Sequence, residues 1–96
     1  MKIESIGHKG LRRFFETGNP RGLVGDTGRL SKMLAFIDAA AGLDELGTPP
    51  NYGLHQLTGD RKGTWSMTVT KNWRLTFRVN DEGALIDMEL EDYHGS

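Results

Sequence analysis

The chain has 96 residues, with 12 Lys or Arg and 13 Asp or Glu, so its formal net charge is −1 and its pI is near 6.3. This length predicts one domain over residues 1–96 and leaves no room for a second core. The near-neutral charge argues against a protein that coats nucleic acid over its whole surface, so any basic patch must be local. Because there are no cysteines and no apolar run of signal-peptide or membrane-span type, we expect a reducing cytoplasm and no membrane partner.

Two amphipathic helices are predicted in the first half, after a weak strand signal over residues 2–6. Residues 8–17 place apolar side chains three and four apart, and Gly18 suits a left-handed C-cap. A second helix is predicted to begin after an N-cap at Asp26 and to end at Gly42. The apolar positions that define the two helical faces are Leu11, Phe14 and Phe15 in the first helix and Leu30, Met33, Leu34, Ile37 and Ala41 in the second.

The second half predicts an antiparallel meander. Apolar and polar side chains alternate over residues 65–70 and 73–79, which is typical of strands with one buried face. Lys71-Asn72 is interpreted as a two-residue hairpin loop, because Asn tolerates the positive φ that such a loop requires. After a turn at 80–83, a third strand is predicted whose buried side carries Ala84, Ile86, Met88 and Leu90.

The predicted fold class is α+β. A short N-terminal strand and a two-helix hairpin precede an antiparallel meander of three to four strands that packs on the helices. Residues 43–53 are interpreted as a crossover loop, because their two adjacent prolines exclude regular helix and cannot donate to a strand ladder. The sheet face that meets the helices comprises Trp65, Met67, Val69, Leu75 and Phe77.

Four features could carry chemistry, and each one alone also has an ordinary structural explanation. They are His55, the basic loop with Arg61 and Lys62, the mid-strand Arg74, and the terminal Asp92, Tyr93 and His94. A single His is more often a surface or hydrogen-bonded residue, and basic loop residues most often only aid solubility. Arg74 is the strongest candidate because it must point from the polar face of its strand, but an ion pair with Asp87 or Glu89 would also explain it.

Taken together, these residue types match the needs of RNA cleavage by the RNA's own 2′-hydroxyl. That reaction requires a base for the 2′-hydroxyl proton, a positive charge for the phosphorane and an acid for the departing 5′-oxygen. Imidazole, phenol, carboxylate and guanidinium groups can supply all three without a metal or another cofactor. Regular alternation would separate Tyr93 from Asp92 and His94, so we expect the last strand to end or bulge near Leu90.

Several motifs resemble those of the HigB-like toxins of the RelE/ParE superfamily. They are LHQL at 54–57, GDRKG at 59–63, KNWRLTF at 71–77 and EDYH at 91–94, with further likeness at 8–18 and 34–40. The resemblance implies the RelE-like microbial RNase fold and a bacterial type II toxin. Such a toxin is a ribosome-dependent endoribonuclease, an mRNA interferase that cleaves mRNA in the decoding site and halts translation.

The resemblance also implies roles for individual residues. His55 and Asp92 would be acid–base and orienting residues. Tyr93 and His94 would line the cleaved phosphate, which Arg74 would stabilise. The residues expected to contact RNA or the ribosome are Lys9, Arg12, Arg13, Arg61, Lys62 and Arg78.

The implied partners are the ribosome with its mRNA and a HigA-like antitoxin that carries a helix-turn-helix domain. Operator DNA would be bound only through the antitoxin complex, which represses its own operon. Two alternatives stay open: a ParE-like toxin that inhibits DNA gyrase by protein contact, and a small interaction module whose helices dock a partner. A gyrase inhibitor needs no acid–base set, so it would stay toxic after His55 and His94 are both changed to Ala. An interaction module expressed without antitoxin would leave growth untouched.

Overall fold

The computed structural model describes residues 1–92, which form three helices and a four-stranded antiparallel sheet. The helices are α1 (Lys9–Thr17), α2 (Thr27–Ala39) and α3 (Leu43–Leu46), and the strands are β1 (His55–Gln56), β2 (Trp65–Thr68), β3 (Trp73–Val79) and β4 (Leu85–Asp92). The strand order is β1-β2-β3-β4, so each strand pairs with its neighbour in sequence. The predicted α+β class and the meander are therefore confirmed.

The predicted N-terminal strand is present only as two parallel bridges to the last strand. Ile3 pairs with Leu85, and Ile6 pairs with Met88. Asp87 lies between these partners with a φ of 55°, which is outside the strand region. The N-terminal segment and β4 therefore pair at two separate bridges and do not form a continuous parallel ladder.

The first helix begins and ends close to the predicted positions. His8 is its N-cap, and the Nδ1 atom of His8 accepts a hydrogen bond of 3.0 Å from the backbone N–H of Leu11. Gly18 is the C-cap with a φ of 79°, a left-handed conformation that costs glycine little. The cap predicted from the sequence is thus confirmed.

The second helix has the predicted N-cap but a different end. The Oδ1 atom of Asp26 accepts from the backbone N–H three residues on, at 2.9 Å. The helix ends at Ala39 and not at Gly42, because Ala40 is buried in the core with an extended backbone. Ala41, which was predicted for the apolar face, is exposed.

The segment 43–53 was predicted as a loop, and this is wrong for two parts of it. Leu43–Leu46 forms α3, and Pro50–Tyr52 forms a 3₁₀ turn with proline at its start, where a missing N–H is harmless. Leu46 is fully buried, so the segment adds to the core. Its other end is held to α2 by the ring of Phe36, which lies 5.7 Å from the ring of Tyr52.

The core lies between the helices and one face of the sheet, as predicted. Leu11 of α1 and the apolar stripe of α2 form one cluster with the sheet residues, and Trp65 packs partly buried against it. The sheet side of this cluster comprises Met67, Val69, Leu75, Phe77, Leu85, Met88 and Leu90. Burial of this apolar surface is the main source of stability, and α1 and α2 lie on this side of the sheet.

The β2–β3 hairpin has the predicted loop position but another conformation. Val69 and Thr70 both donate from their backbone N–H groups to the carbonyl of Trp73, at 2.9 and 3.1 Å, which forms a β-bulge beside the loop. Among non-glycine residues 1–92, positive φ occurs at Asp87 alone, so Asn72 does not adopt it. The prediction of a positive φ at Asn72 is therefore wrong.

A second bulge lies in β4, and it changes which residues face the core. The pairing shifts by one residue between Thr76–Glu89 and Arg78–Ile86. Leu85 is fully buried while Ile86 is half-buried, so the prediction of Ile86 on the buried side is wrong. The expectation that β4 ends or bulges near Leu90 is also wrong, since its pairing is regular from Leu90 to Asp92, the last described residue.

Candidate functional site

The sheet face opposite the helices carries two rows of polar side chains. The strand register aligns His55, Ser66, Thr76 and Glu89 in one row across all four strands, and Thr68, Arg74 and Glu91 in the next. Although this polar face lies away from the helices, Ser66 and Thr76 are at most 1% exposed and Arg74 is 8% exposed. Something other than the helical layer therefore covers part of it.

The cover comes from the loop between β1 and β2, which contains a 3₁₀ turn at Gly59–Arg61. The guanidinium of Arg61 reaches across the sheet to Glu91 of β4. It donates from Nη1 to Oε1 at 2.6 Å and from Nη2 to Oε2 at 2.5 Å. This two-bond geometry is the strong form of an arginine–carboxylate pair, so it fixes the loop over the polar face.

Glu91 also receives hydrogen bonds from β3. Its Oε1 accepts from Nη2 of Arg74, directly opposite on the neighbouring strand, at 3.4 Å. The Oγ1 hydroxyl of Thr76, one diagonal position away, donates to Oε2. The carboxylate is therefore surrounded by donors from a loop and from a strand.

These donors change the ionisation of Glu91. The hydrogen bonds from Arg61 lower its pKa most, burial opposes them, and the Thr76 hydroxyl and the charges of Arg61 and Arg74 lower it further, to about 2. The same contact raises the pKa of Arg61. Glu91 is thus ionised at neutral pH and is too weak a base to take a proton from a hydroxyl.

His55 lies on the same face as Arg74. Its register partner on β2 is Ser66, and its imidazole is exposed at the β1 edge of the sheet. The Nδ1 atom lies 2.8 Å from the carbonyl oxygen of Gly53. Because a carbonyl can only accept, Nδ1 carries the proton, which leaves Nε2 of a neutral His55 able to take one.

The predicted RNA-contacting residues fall into two groups. Arg61 and Lys62 belong to the loop over the polar face. Arg78 lies on β3 with its guanidinium against Gly63 of that loop, since a Cβ added to Gly63 would be 3.4 Å from Nη2 of Arg78. The structure does not bring the cations of α1 to this face. Lys9, Arg12 and Arg13 are exposed on α1, within the helical layer.

The predicted terminal residues are only partly described. Asp92 is exposed and pairs with Trp73, so alternation places it on the same side of β4 as Leu90 and away from Arg74. Tyr93 and His94 lie outside the described residues.

Glu91 is the residue of this site that the sequence argument missed. Asp87 or Glu89 was the ion-pair partner considered for Arg74 as a structural alternative, whereas its partner in the structure is Glu91. If the register at Val79–Leu85 continued without a bulge, Leu90 would face Arg74. The extra residue of the bulge in β4 moves Glu91 into that position.

The described residues 1–92 contain no group of three or more His, Asp or Glu side chains that could hold a metal ion. The polar face offers proton transfer at His55 and stabilisation of negative charge at Arg61 and Arg74. Together these can act on a phosphodiester.

Comparisons with known proteins agree with this fold. A family model described as the RelE-like toxin of type II toxin-antitoxin system HigB matches residues 4–94. Endoribonuclease HigB of Proteus vulgaris is 44% identical over 93 residues, which is 96% of this chain and 99% of that protein. The crystal structure of YafQ from E. coli has a TM-score of 0.63 at 17% identity and covers 99% of this chain and 97% of its own. In the E. coli DinJ-YafQ toxin-antitoxin complex, the matching chain has a TM-score of 0.55 at 17% identity, covering 92% and 91%.

Proposed function

The chain belongs to the HigB-like toxins, the RelE-like toxins of type II toxin–antitoxin systems, and we propose that it is an endoribonuclease that cleaves mRNA in the ribosomal decoding site. The observation that carries this proposal is the shared polar face, on which an exposed imidazole and two guanidinium groups lie outside the helical core. The name of the Proteus vulgaris relative, an endoribonuclease, supports it.

The proposed reaction needs no metal. The 2′-oxygen of the RNA attacks the adjacent phosphorus, and its proton passes to a base, for which we propose Nε2 of His55, whose Nδ1 is oriented by the carbonyl oxygen of Gly53. We do not assign the orienting role to Asp92, because strand alternation places it on the side of the sheet away from Arg74 and His55. The bond from phosphorus to the 5′-oxygen then breaks. We propose that Tyr93 and His94 line the phosphate and protonate the leaving oxygen, which yields a 2′,3′-cyclic phosphate and a free 5′-hydroxyl.

Arg74 stabilises the negative charge that accumulates on the phosphorane. Its guanidinium is held within the sheet by Glu91, with a side chain only 10% exposed. A group that is already fixed in place loses little conformational freedom when the substrate binds, so its charge is preorganised. The loop cations Arg61 and Lys62, together with Arg78, then contact the flanking phosphates of mRNA or ribosomal RNA.

The proposed partners follow from the family. A type II toxin is paired with an antitoxin, and the DinJ-YafQ complex supports such a pairing on this fold. We propose a HigA-like antitoxin with a helix-turn-helix domain, through which the complex binds its operator. Action on ribosomes places the toxin in the cytoplasm.

Purified protein incubated with programmed ribosomes and end-labelled mRNA tests this function. We expect His55→Asn and His94→Asn each to slow cleavage by about 100-fold or more, because general acid–base groups contribute factors of that order. His8→Asn is the matched control, since His8 caps α1 and Asn is a good N-cap. Cleavage at the wild-type rate by both His55→Asn and His94→Asn would contradict the mechanism.

Arg74 is tested in the same assay by Arg74→Lys. This change keeps the positive charge but loses the forked donors that hold Glu91 and the phosphate. We expect a loss of about 100-fold in the maximal rate, with the fold verified by circular dichroism.

Growth arrest that survives the double change of His55 and His94 to Ala would favour gyrase inhibition by protein contact over RNA cleavage.

A further inference from the structure

We propose that Glu91 is a positioning residue, which ties the loop between β1 and β2 down across the polar face and so presents the loop's cations to RNA. The inference builds on the proposed function, because RNA is the ligand to which those cations would be presented. None of the roles proposed above for His55, Tyr93 or His94 involves Glu91.

The contact between Arg61 and Glu91 spans most of the sheet. Arg61 belongs to the loop that joins the first two strands, whereas Glu91 lies on the fourth, so their contact crosses β2 and β3. Backbone hydrogen bonds from Leu57 to the carbonyl of Thr64 and from Thr64 to that of Arg61 shape the loop but end within it. Among the hydrogen bonds of residues 1–92, those from Arg61 to Glu91 join the loop to β4 at the far edge of the sheet.

The charges show why a carboxylate is needed there. Arg61 and Arg74 both donate to Oε1 of Glu91, so two guanidinium groups lie on either side of one oxygen. Without the negative charge these groups would repel each other in a partly buried place, where solvent screens them poorly. The buried Arg74 cannot move far, so the loop with Arg61 would lift away.

The contact between Arg61 and Glu91 also determines which positive charges remain available to a ligand. Two positive charges and one negative charge leave a single net positive charge at the pair of arginines. Lys62, next to Arg61 in the loop, is exposed, and so is Arg78, which lies against Gly63. Arg78 belongs to β3, so its place does not depend on the loop. Holding the loop down therefore keeps Lys62 on the face that carries Arg74 and Arg78, where the cations form a strip that a phosphate chain can follow.

The test compares Glu91→Gln with a matched control on the same strand. Glu89→Gln removes the same charge from the same face two residues away, and Glu89 has no ion pair among the described residues. Glu91→Asp keeps the charge but shortens the side chain. Each full-length variant is digested briefly with trypsin, and the rate of cleavage after Arg61 is followed by mass spectrometry.

The same variants are then assayed with ribosomes programmed with labelled mRNA under single-turnover conditions. For Glu91→Gln we expect cleavage after Arg61 to be about tenfold faster and the toxin concentration for half-maximal rate about tenfold higher, as for loss of one charge-assisted contact. The maximal rate should change less than this concentration. Glu91→Asp should restore part of both effects, and Glu89→Gln should behave as wild type.

Two results would overturn the inference. Unchanged trypsin cleavage in Glu91→Gln would show that Glu91 does not hold the loop. Faster trypsin cleavage in Glu91→Gln with an unchanged toxin concentration for half-maximal mRNA cleavage would show that the Arg61–Glu91 contact is structural and does not serve RNA binding. If the wild-type protein fails to cleave mRNA, the proposed function fails, and with it the presentation of cations to RNA, while trypsin still decides whether Glu91 holds the loop.

Discussion

At the scale of single residues, Glu91 shows how the surroundings of a carboxylate couple it to stability. Donors from Arg61 and Thr76 favour its charged form, and its pKa is about 2 in the folded protein against an ordinary value of 4.5. Its folded pKa is depressed, so the stabilisation is fully present above about pH 4.5 and is lost as the pH falls towards 2. Allowing for the solvent that screens Arg61, whose side chain is 42% exposed, the contribution is about 2 kcal/mol.

Glu91→Gln should therefore lower the free energy of unfolding by about 2 kcal/mol at pH 7 and by roughly half as much at pH 3. The reason is that wild-type Glu91 loses its advantage as protons compete for the carboxylate, whereas Gln cannot titrate. Urea unfolding at the two pH values measures the difference. An equal difference at both pH values would contradict the assigned pKa, and Glu89→Gln is the control.

At the scale of elements, the bulge in β4 determines the site. Asp87 adopts a φ of 55°, which costs a non-glycine residue energy, although Asp tolerates this region better than most. Ser5 helps to hold the bulge, because its hydroxyl oxygen accepts from the backbone N–H of Asp87 at 2.8 Å. Beyond the bulge, Glu91 is in register with Arg74. A backbone irregularity at one residue thus sets an ion pair four residues away.

Substitutions at Asp87 should rank by their tolerance of positive φ. We expect Asp87→Gly to raise the free energy of unfolding by up to about 1 kcal/mol and Asp87→Val to lower it by about 2 kcal/mol, because a β-branched residue is strained in this region. Thermal or urea unfolding gives the order. A Val variant as stable as the wild type would show that the bulge is not under this constraint.

At the scale of the whole molecule, the sheet separates the apolar core from the polar face. One face packs against the helices through fully buried side chains such as Leu75 and Phe77, and the other carries Arg74 and Thr76. Successive residues of β3 therefore alternate between the apolar core and the polar face. Within residues 1–92, no helix is long and apolar enough to cross a membrane.

Adjacent residues on β3 should reveal this division. Leu75→Ala should lower the free energy of unfolding by about 2–5 kcal/mol, because it leaves a cavity in the core, while the maximal rate of mRNA cleavage by the folded protein stays unchanged. Thr76→Val should weaken mRNA cleavage with a smaller loss of stability, because it removes a donor to Glu91. The cleavage rates of the two variants are measured well below their unfolding temperatures. A loss of cleavage in Leu75→Ala that matches the loss in Thr76→Val would contradict the division.

Much of the fold follows from local patterns in the sequence. The alternation through Leu75 and Phe77 identified the buried face of β3, and Gly18 and Asp26 marked helix ends, because such signals depend on residues close together in the chain. The motif at 71–77 and the closing residues 91–94 led to the family, which the match over residues 4–94 shows.

What only the tertiary structure decided is which distant residues meet. The register of β4 against β3 depends on the bulge at Asp87, and bulges are set by packing of the whole sheet rather than by one residue's preference. For that reason the sequence identified Arg61 and Arg74 as cations, whereas the folded chain supplied Glu91 as the carboxylate between them.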